Sequence, residues 1–405
     1  MNRHAIPVAV AGAVLLMGGL AVAPYPSSAA PLIPSWSIQS TPNPAGSQFG
    51  TLNGVSCTSA TLCTAVGFDD SPSVGGVTLA ERLTGTSWVI QPTPNPTGAA
   101  SAQLSSVSCV SANACTAVGS YATSGNIFSG TLVERWNGTQ WKIQKSPNPT
   151  TAVRAGLLGV SCVSTTACTA VGSYDKSTYA QYPLAEKWNG TSWKVQSVKN
   201  PVGSTYLSTM LPEPGLYSVS CTTATTCTAV GGNYTSKGLP VPLAEQLKGT
   251  SWSIQSTPVP AGAKSPPGLA RSGLSSVSCT STTACTAVGG YNGSTSGTLA
   301  EVWNGSTWKI QTTPDFPGSS LQELAGVWCT SATSCTGVGT YYVNGTGYST
   351  LAEQFDGTSW SIATTPNPAG EAPGLSAVWC ASPISCSAVG EGGGYAWGTL
   401  AETFG

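Results

Sequence analysis

The chain has 405 residues, enough for two or three ordinary domains or one large repetitive one. Charged residues are only 8%, against roughly 25% in an average soluble protein, and a net charge of −1 excludes a broad basic surface for nucleic acid. The one histidine, His4, falls in a segment read below as a leader, so Ser–His or Cys–His catalysis and a His-ligated metal are excluded from the mature chain.

Residues 1–30 read as an export signal. Arg3 and His4 give a basic start, an apolar run covers 5–23, Pro24 and Pro26 end it, and Ser28-Ala29-Ala30 offers small residues for cleavage. The competing reading is an uncleaved anchor, since the run is long enough to span when tilted. No basic cluster follows it to stop transfer. Cleavage leaves a chain from about Pro31 with 14 basic and 16 acidic residues and no transmembrane segment. It is expected to be secreted, extracellular or held at the cell envelope.

Fourteen cysteines form seven C-x5-C pairs: Cys57/Cys63, Cys109/Cys115, Cys162/Cys168, Cys221/Cys227, Cys279/Cys285, Cys329/Cys335 and Cys380/Cys386. Zinc sites usually need closer cysteines or histidine partners, and an exported thiol-rich chain oxidises. Seven local disulfides are therefore expected, each inside its own repeat and adding roughly 2 kcal/mol by loop closure. No metal and no cofactor is expected.

The pairs mark a repeat, with first cysteines recurring after 52, 53, 59, 58, 50 and 51 residues. The unit reads V-S-C-x5-C-T-A-V-G, a variable stretch, L-A-E-x-W-N-G-T-S-W-x-I-Q, then T-P-N-P. Periods near 50 with several short strands indicate a propeller or a related array. In the third unit the strands are read as 157–162, 168–172, 184–188 and 191–196. Asn189-Gly190 joins the last two, as Asn137-Gly138, Asn304-Gly305 and Asp356-Gly357 do elsewhere, with Thr84-Gly85 and Lys248-Gly249 as weaker copies. A two-residue type I′ turn is predicted there. That turn pairs Trp136 with Thr139, Glu134 with Trp141 and Leu132 with Ile143.

The chain ends distinguish a ring from an open stack. The last unit stops after its third strand at Glu402-Thr403-Phe404-Gly405, and the missing fourth strand appears as Ser35-Trp36-Ser37-Ile38-Gln39. A strand from the N-terminus that completes the last blade closes a propeller and removes its exposed edges. The prediction is an all-β, seven-bladed propeller over 31–405 with four-stranded antiparallel blades, and with Trp36 across from Glu402.

The Gly289-Gly290-Tyr291 stretch, followed by Trp303 and Trp308, resembles kelch repeats. The Asn-Gly-Thr-Ser-Trp turn resembles a degenerate Asp-box, which in that family also joins strands three and four. Most units have one glycine where kelch has two, and the cysteine pairs belong to neither motif. The whole resembles exported bacterial propellers. The resemblance covers 35–405 and implies architecture rather than an activity.

Seven glutamates recur in strand three: Glu81, Glu134, Glu186, Glu245, Glu301, Glu353 and Glu402. Such a ring could bind cations or act as general acids. Sevenfold repetition favours instead a satisfied structural carboxylate between blades, because an active site breaks symmetry. Trp36, Trp88, Trp141, Trp193, Trp252, Trp308 and Trp360 occupy one repeated position and should fill space between blades. Trp136, Trp188 and Trp303 also look structural. Trp328 and Trp379 replace the serine before the first cysteine in adjacent units. They form either a sugar-stacking pair or a core filler.

In a meander, loops one–two and three–four share one face and carry fixed text. The other face carries nearly all the length variation, including 200–215, 258–273 and 391–398. Binding is expected there, with Asp69, Asp70, Tyr341, Tyr342, Tyr395 and Trp397 as candidate contacts beside Tyr121, Arg154, Tyr206 and Arg271. The function expected is a monomeric, non-enzymatic binding protein for an extracellular glycan or protein. A structural or adhesion role at the envelope, and a polysaccharide hydrolase or lyase using loop carboxylates, are the alternatives. Two non-repeat carboxylates about 5–10 Å apart in one pocket favour hydrolysis; a shallow aromatic groove without such a pair favours binding. The arginine cluster of an Asp-box sialidase is missing, since Arg82 and Arg135 sit beside the repeat glutamate.

Overall fold

A computed structural model describes Met1 and residues 34–405, apart from 72–74, 124–128, 178–179, 202–213, 237, 264–270, 369–371 and 394–397. The chain divides into two units, Met1–Ile33 and Pro34–Gly405. The expected export signal lies outside the described residues, as do Tyr206, Tyr395 and Trp397.

Each repeat folds into one four-stranded antiparallel sheet, and there are seven such sheets. Blade 3 is built from Arg154–Ser164, Ala167–Ser177, Ala180–Trp188 and Trp193–Gln196. Strands one to three run further than the repeated text, because the ladder continues through Arg154↔Asp175 and Tyr174↔Tyr182 at positions where the units no longer resemble one another. First strands of successive blades contact one another. The last of them, Gly374–Ser382, meets the first, Phe49–Ser59, so the blades form a closed ring.

The ends of the unit seal the ring. Trp36–Gln39 pairs antiparallel with Thr399–Phe404 and completes blade 7. Trp36 faces Phe404, with ring centroids 5.4 Å apart, and Ile38 faces Glu402. The register expected from the sequence, Trp36 opposite Glu402, is therefore corrected by two residues.

The hairpins need the same correction. Trp136 pairs with Trp141 and Glu134 with Ile143, in place of Thr139 and Trp141, and Leu132 lies beyond the end of the fourth strand. Asn137 N donates to the carbonyl of Gln140 at 3.3 Å, so Gly138 and Thr139 are the two central residues. Only Gly138 has positive φ, +96°. Type I′ needs positive φ at both central positions, whereas glycine at the first alone is the II′ pattern. Asn137 Oδ1 accepts from the amides of Thr139 and Gln140 at 3.0 and 2.9 Å, which holds asparagine outside the turn as its clamp. A shift of two keeps every side chain on its face, with Trp141 buried at 4% and Ile143, further along the edge strand, 41% exposed.

All seven C-x5-C pairs are disulfides, and no described cysteine is free. Each joins facing residues of strands one and two, as in Cys162↔Cys168 with Cα atoms 4.0 Å apart. In four of the bridges the two ends differ in their surroundings, whereas Cys57, Cys329 and Cys380 are themselves buried at 4–6% exposure. The second cysteines, Cys63, Cys115, Cys168, Cys227, Cys285, Cys335 and Cys386, are 1–3% exposed and belong to the blade cores. The spacing alone gave no sign of this. The pairing itself stands as expected, and this burial adds two features to it.

First, strand two lies sealed between its neighbours, so solvent does not reach these sulfurs. Second, the bridges are local in the chain but not in their packing. A hydroxyl of the preceding blade lies 3.5–3.8 Å from each buried Sγ: Ser387 beside Cys63, Thr64 beside Cys115, Thr116 beside Cys168, Thr169 beside Cys227, Thr228 beside Cys285, Thr286 beside Cys335 and Thr336 beside Cys386. Each staple thus also fills the seam between two blades.

The rest of the core sits in those same seams. Leu157, Ala170 and Leu184 of blade 3 pack with Val118 and Val133 of blade 2. The Val-Gly step of strand two has a steric origin: strand one bulges after Leu157, and a Cβ on Gly172 would overlap the carbonyl of Gly156. Among the described residues no helix is long and apolar enough to cross a membrane.

Candidate functional site

Repeated interactions tie each blade to the next, and they set the background against which a site must be sought. Trp88, Trp141, Trp193, Trp252 and Trp360 each donate the indole N–H to a glutamine of the preceding blade (Gln39, Gln91, Gln144, Gln196 and Gln311) at 2.9–3.1 Å. The serine before the first cysteine accepts the amide of the next blade's cysteine: Ser56 from Cys109, Ser108 from Cys162 and Ser161 from Cys221, each at 3.0 Å. Arg82 and Arg135 donate to the next blade's Ala112 and Thr165 carbonyls at 2.8 and 2.9 Å and lie over Trp136 and Trp188. Both arginines are thereby committed to packing.

The seven glutamates form a further ring, and all are fully buried. At four seams a threonine three residues before the glutamate of one blade (Thr78, Thr131, Thr298 or Thr399) faces the glutamate of the next. Thr298 donates to Glu353 in this way at 3.0 Å. Ser146, in the connection leaving blade 2, donates to Glu186 at 2.7 Å. Thr78 and Thr399 oppose burial at Glu134 and Glu81 without reaching hydrogen-bond geometry. Pro242 takes this place before Glu301, which keeps no partner. Desolvation pushes Glu81, Glu134, Glu301, Glu353 and Glu402 up to about 8, and Glu186 and Glu245 to about 7.

The expectation of satisfied carboxylates holds for Glu186, Glu245 and Glu353. It fails for Glu81, Glu134, Glu301 and Glu402, whose oxygens are buried without hydrogen bonds. No solvent reaches any of the seven, so the ring faces no substrate.

Symmetry breaks at the opposite end of the strands, where strand one begins and strand two ends. Two clefts of about 190 and 270 Å³ there share Gly290 and Glu323 and form one groove across blades 4, 5 and 6. Tyr217, Tyr234, Tyr291 and Tyr348 line it, with exposed Glu323 at the junction. The groove passes where blades 4 and 5 carry the second glycine of Val-Gly-Gly. A Cβ on Gly290 would stand 2.9 Å from that of Glu323, so any other residue would close the junction. The groove floor is braced by Gln322, which donates to Asp315 at 2.7 Å and accepts the Phe316 amide at 3.0 Å.

Two further clefts lie on the same face. One, between blades 1 and 2, is lined by Phe68, Asp70 and Tyr121. The other, between blades 2 and 3, is lined by Arg154, Tyr174, Asp175 and Gln181. Among the described residues, each of these four clefts is lined by a single carboxylate: Glu323 in the first two, then Asp70 and Asp175. Among the described residues no cluster of histidine, cysteine and acidic side chains has the form of a metal site.

The structure separates the residues singled out from the sequence. Trp328 and Trp379 contact each other, centroids 5.8 Å apart at 41°, at the disulfide end of strand one. Each is half-buried, Trp328 against the blade 7 core and Trp379 against that of blade 1. They replace two serine-to-amide ties and fill the seam. Asp69 is 2% exposed, whereas Asp70 is exposed, because both lie on a strand, Leu62–Ser71, and alternate sides. Tyr341 stacks on Phe316 at 3.7 Å, and Tyr342 packs on Tyr348 at 4.8 Å, supporting the groove wall. Sequence reasoning missed Tyr348, Tyr234 and Glu323, which no repeated motif marks.

The fold defines the class: a seven-bladed β-propeller with a disulfide in every blade. No family model and no curated protein matches the chain, so kelch and Asp-box likeness stays at the level of short motifs. Among solved structures the chain is similar to YCF48 bound to D1 peptide, at 11% identity, with 91% of this chain and 96% of that one covered and a TM-score of 0.51. It is also similar to the GH74 xyloglucanase from Xanthomonas campestris (11% identity, 91% and 55% covered, TM-score 0.49). A third is the fucose-specific lectin from Aleuria aurantia (14% identity, 80% and 99% covered, TM-score 0.47). The first of these likenesses carries the propeller fold and nothing finer.

Proposed function

We propose that the protein is an exported, monomeric, non-catalytic propeller that binds an extracellular glycan along the groove of blades 4 to 6. The carrying observation is that groove itself: four tyrosines and one carboxylate, Glu323, on the face of greatest loop variation. Tyrosine offers an apolar face for sugar C–H groups and a hydroxyl for its oxygens. A glycosidase needs a second carboxylate about 5–10 Å away, and among the described residues each of the four clefts is lined by one. Seven disulfides and a charge near zero suit an oxidising location outside the cell.

A glycan array on the oxidised protein, followed by calorimetry on the hits, tests this. Tyr348→Ala is expected to weaken binding at least tenfold while leaving the unfolding temperature within a few degrees. Release of reducing sugar from a bound polysaccharide, or unchanged affinity in the variant, would overturn the proposal.

A further inference from the structure

We infer that the outer rim of blades 2 and 3 is a separate site for an acidic polysaccharide, a sugar chain with a negative charge on successive rings. It shares no residue with the groove of blades 4 to 6 and does not depend on it.

A charge near zero for the whole chain conceals how the charges are placed. Residues 99–200, which span blades 2 and 3, hold eight of the 14 basic residues that follow residue 30, and only three acids. Glu134 and Glu186 are fully buried, and Asp175 pairs with Arg154 at 3.9 Å. Three of the eight cations are already engaged elsewhere: Arg154 on Asp175, Lys176 over the rings of Tyr174 and Tyr182, and Lys199 by the charge of buried Glu245. The other five are Arg135, Lys142, Lys145, Lys187 and Lys194. None of these is ion-paired among the described residues, and Lys142, Lys145 and Lys194 are exposed.

Four of the five face one another in like-charged pairs. Arg135 lies opposite Lys142 across the outer hairpin of blade 2, and Lys187 opposite Lys194 across that of blade 3. Like charges directly opposite destabilise a ladder. At the matching positions blade 1 has Arg82 and Val89, blade 4 Gln246 and Ser253, and blade 5 Val302 and Lys309. Blade 6 has Gln354 and Ser361, and blade 7 has Thr403 and Ser37. A lysine on an edge strand guards against pairing with another sheet, which accounts for Lys309 but not for a second cation set against the first. Two neighbouring blades thus carry a repulsion that the other five avoid, and an anion laid against each pair relieves it.

Between these hairpins the rim opens into a cleft of about 460 Å³, with Gln144, Lys145 and Pro147 on one side and Trp188, Thr191, Ser192 and Trp193 on the other. Arg135 lies over Trp188 at 5.2 Å and donates to the Thr165 carbonyl, which fixes its charge beside the cleft. Gln144 Oε1 is taken by the Trp193 indole and the Thr191 hydroxyl by Asn189, so the contacts offered to a ligand are the Lys145 ammonium and the Ser192 hydroxyl. Trp188 and Trp193 are only 6% and 4% exposed, which leaves no open ring for the bases of a single-stranded nucleic acid. Exposed Ile143 and Val195 recur as Ile38, Ile254 and Ile310 in other blades, so this rim has no apolar surface of its own for a membrane. Lys142 and Lys194 hold one position on neighbouring outer strands, and they match a ligand whose charge also repeats.

The test is calorimetry on the full, oxidised protein with polygalacturonate, with neutral dextran, with a single-stranded oligonucleotide and with vesicles containing phosphatidylglycerol. Polygalacturonate is expected to bind saturably and dextran is not, and binding should weaken as salt rises from about 0.05 to 0.5 M. The Lys142→Gln/Lys194→Gln double variant should lose about fivefold or more in affinity, and Lys145→Gln should weaken it further. Each variant should keep the parent's unfolding temperature or exceed it, because removing one member of a like-charged pair relieves repulsion. Lys309→Gln, the same position in blade 5, and Tyr348→Ala, in the other groove, should leave the affinity unchanged. No saturable binding of polygalacturonate, equal affinity in the double variant, or an equal loss in Lys309→Gln would overturn the inference. Tighter binding of the oligonucleotide or the vesicles than of polygalacturonate would assign the rim to another partner, and would also overturn it.

Discussion

The indole nitrogen of Trp88 donates to Gln39 Oε1 at 3.0 Å, and this bond joins blade 1 to a strand supplied from the other side of the ring closure. Gln39 lies on Trp36–Gln39, which completes blade 7. Gln39→Ala is expected to cost about 1–2 kcal/mol, since it leaves a buried N–H unpaired; urea unfolding measures it. Deleting 34–39 should do far more, because it exposes the edge of Thr399–Phe404 and strips Phe404 of Trp36. The truncated chain should unfold at a lower temperature and associate in light scattering. A truncated monomer of unchanged stability would contradict the sealed ring.

Two ties in the tryptophan ring are missing, at Trp36 and Trp308, and the first can be restored. Trp36 Nε1 is buried without a partner, and blade 6 has Ala363 where blade 5 has Gln311 to receive Trp360. Ala363→Gln should stabilise the fold by about 1 kcal/mol, raising the unfolding temperature by roughly 2 °C. In a background where Trp36 is replaced by Phe, the same substitution should give no gain.

The buried glutamates make stability depend on pH in a direction opposite to most carboxylates. Burial raises their folded-state pKa from an ordinary 4.5 to about 7 or 8, so between those values the folded chain binds more protons than the unfolded one. Stability is full below about pH 4.5 and falls as pH rises through 7–8. Unfolding temperature measured from pH 5 to pH 9 should therefore decline. Glu301→Gln, at the position with no hydrogen bond to lose, should reduce the decline. A flat or rising profile would show that the carboxylates find partners on ionisation.

Trp328 distinguishes a seam filler from a ligand platform. It is half-buried and packs against the core of blade 7, so Trp328→Ala should cost about 2–4 kcal/mol in chemical unfolding and leave glycan affinity unaltered. The reverse pattern would return the Trp328–Trp379 pair to the binding surface.

Reduction of all seven disulfides should lower stability by up to about 14 kcal/mol in total, spread over blades as single ties worth roughly 2 kcal/mol each. A Cys162→Ala/Cys168→Ala double variant should show about one such loss, and somewhat more for the space left where Cys168 is buried. The ring should stay folded, as read by circular dichroism and thermal melting. Collapse of the whole ring on losing one pair would mean that one blade governs closure.

Much of the architecture was legible in the sequence because its signals are local. The C-x5-C pairs, the Leu157-type core positions, the turn glycines and the displaced Trp36 strand recur at fixed offsets, and each specifies contacts within a blade or at its seam. The register error at Asn137-Gly138 was also local. It arose because one positive φ, not two, is used, and the alternation of faces absorbed it. The burial of Cys63, Cys115 and their counterparts was not legible, since a spacing of six names the partner across the hairpin but not the neighbouring blade that covers it.

What only the tertiary structure decided is where the non-repeating ends of the strands meet. Gly290 and Glu323 touch across a blade boundary, Tyr234 and Tyr348 join one groove from two blades, and Ser120 closes a cleft whose charges come from blade 3. Asp69 and Asp70 part company because the strand runs on where the repeated text stops. The physical reason is range. A repeat encodes interactions at constant spacing, whereas a cleft between blades is made by side chains whose spacing along the chain differs each time and whose meeting depends on the curvature of the closed ring.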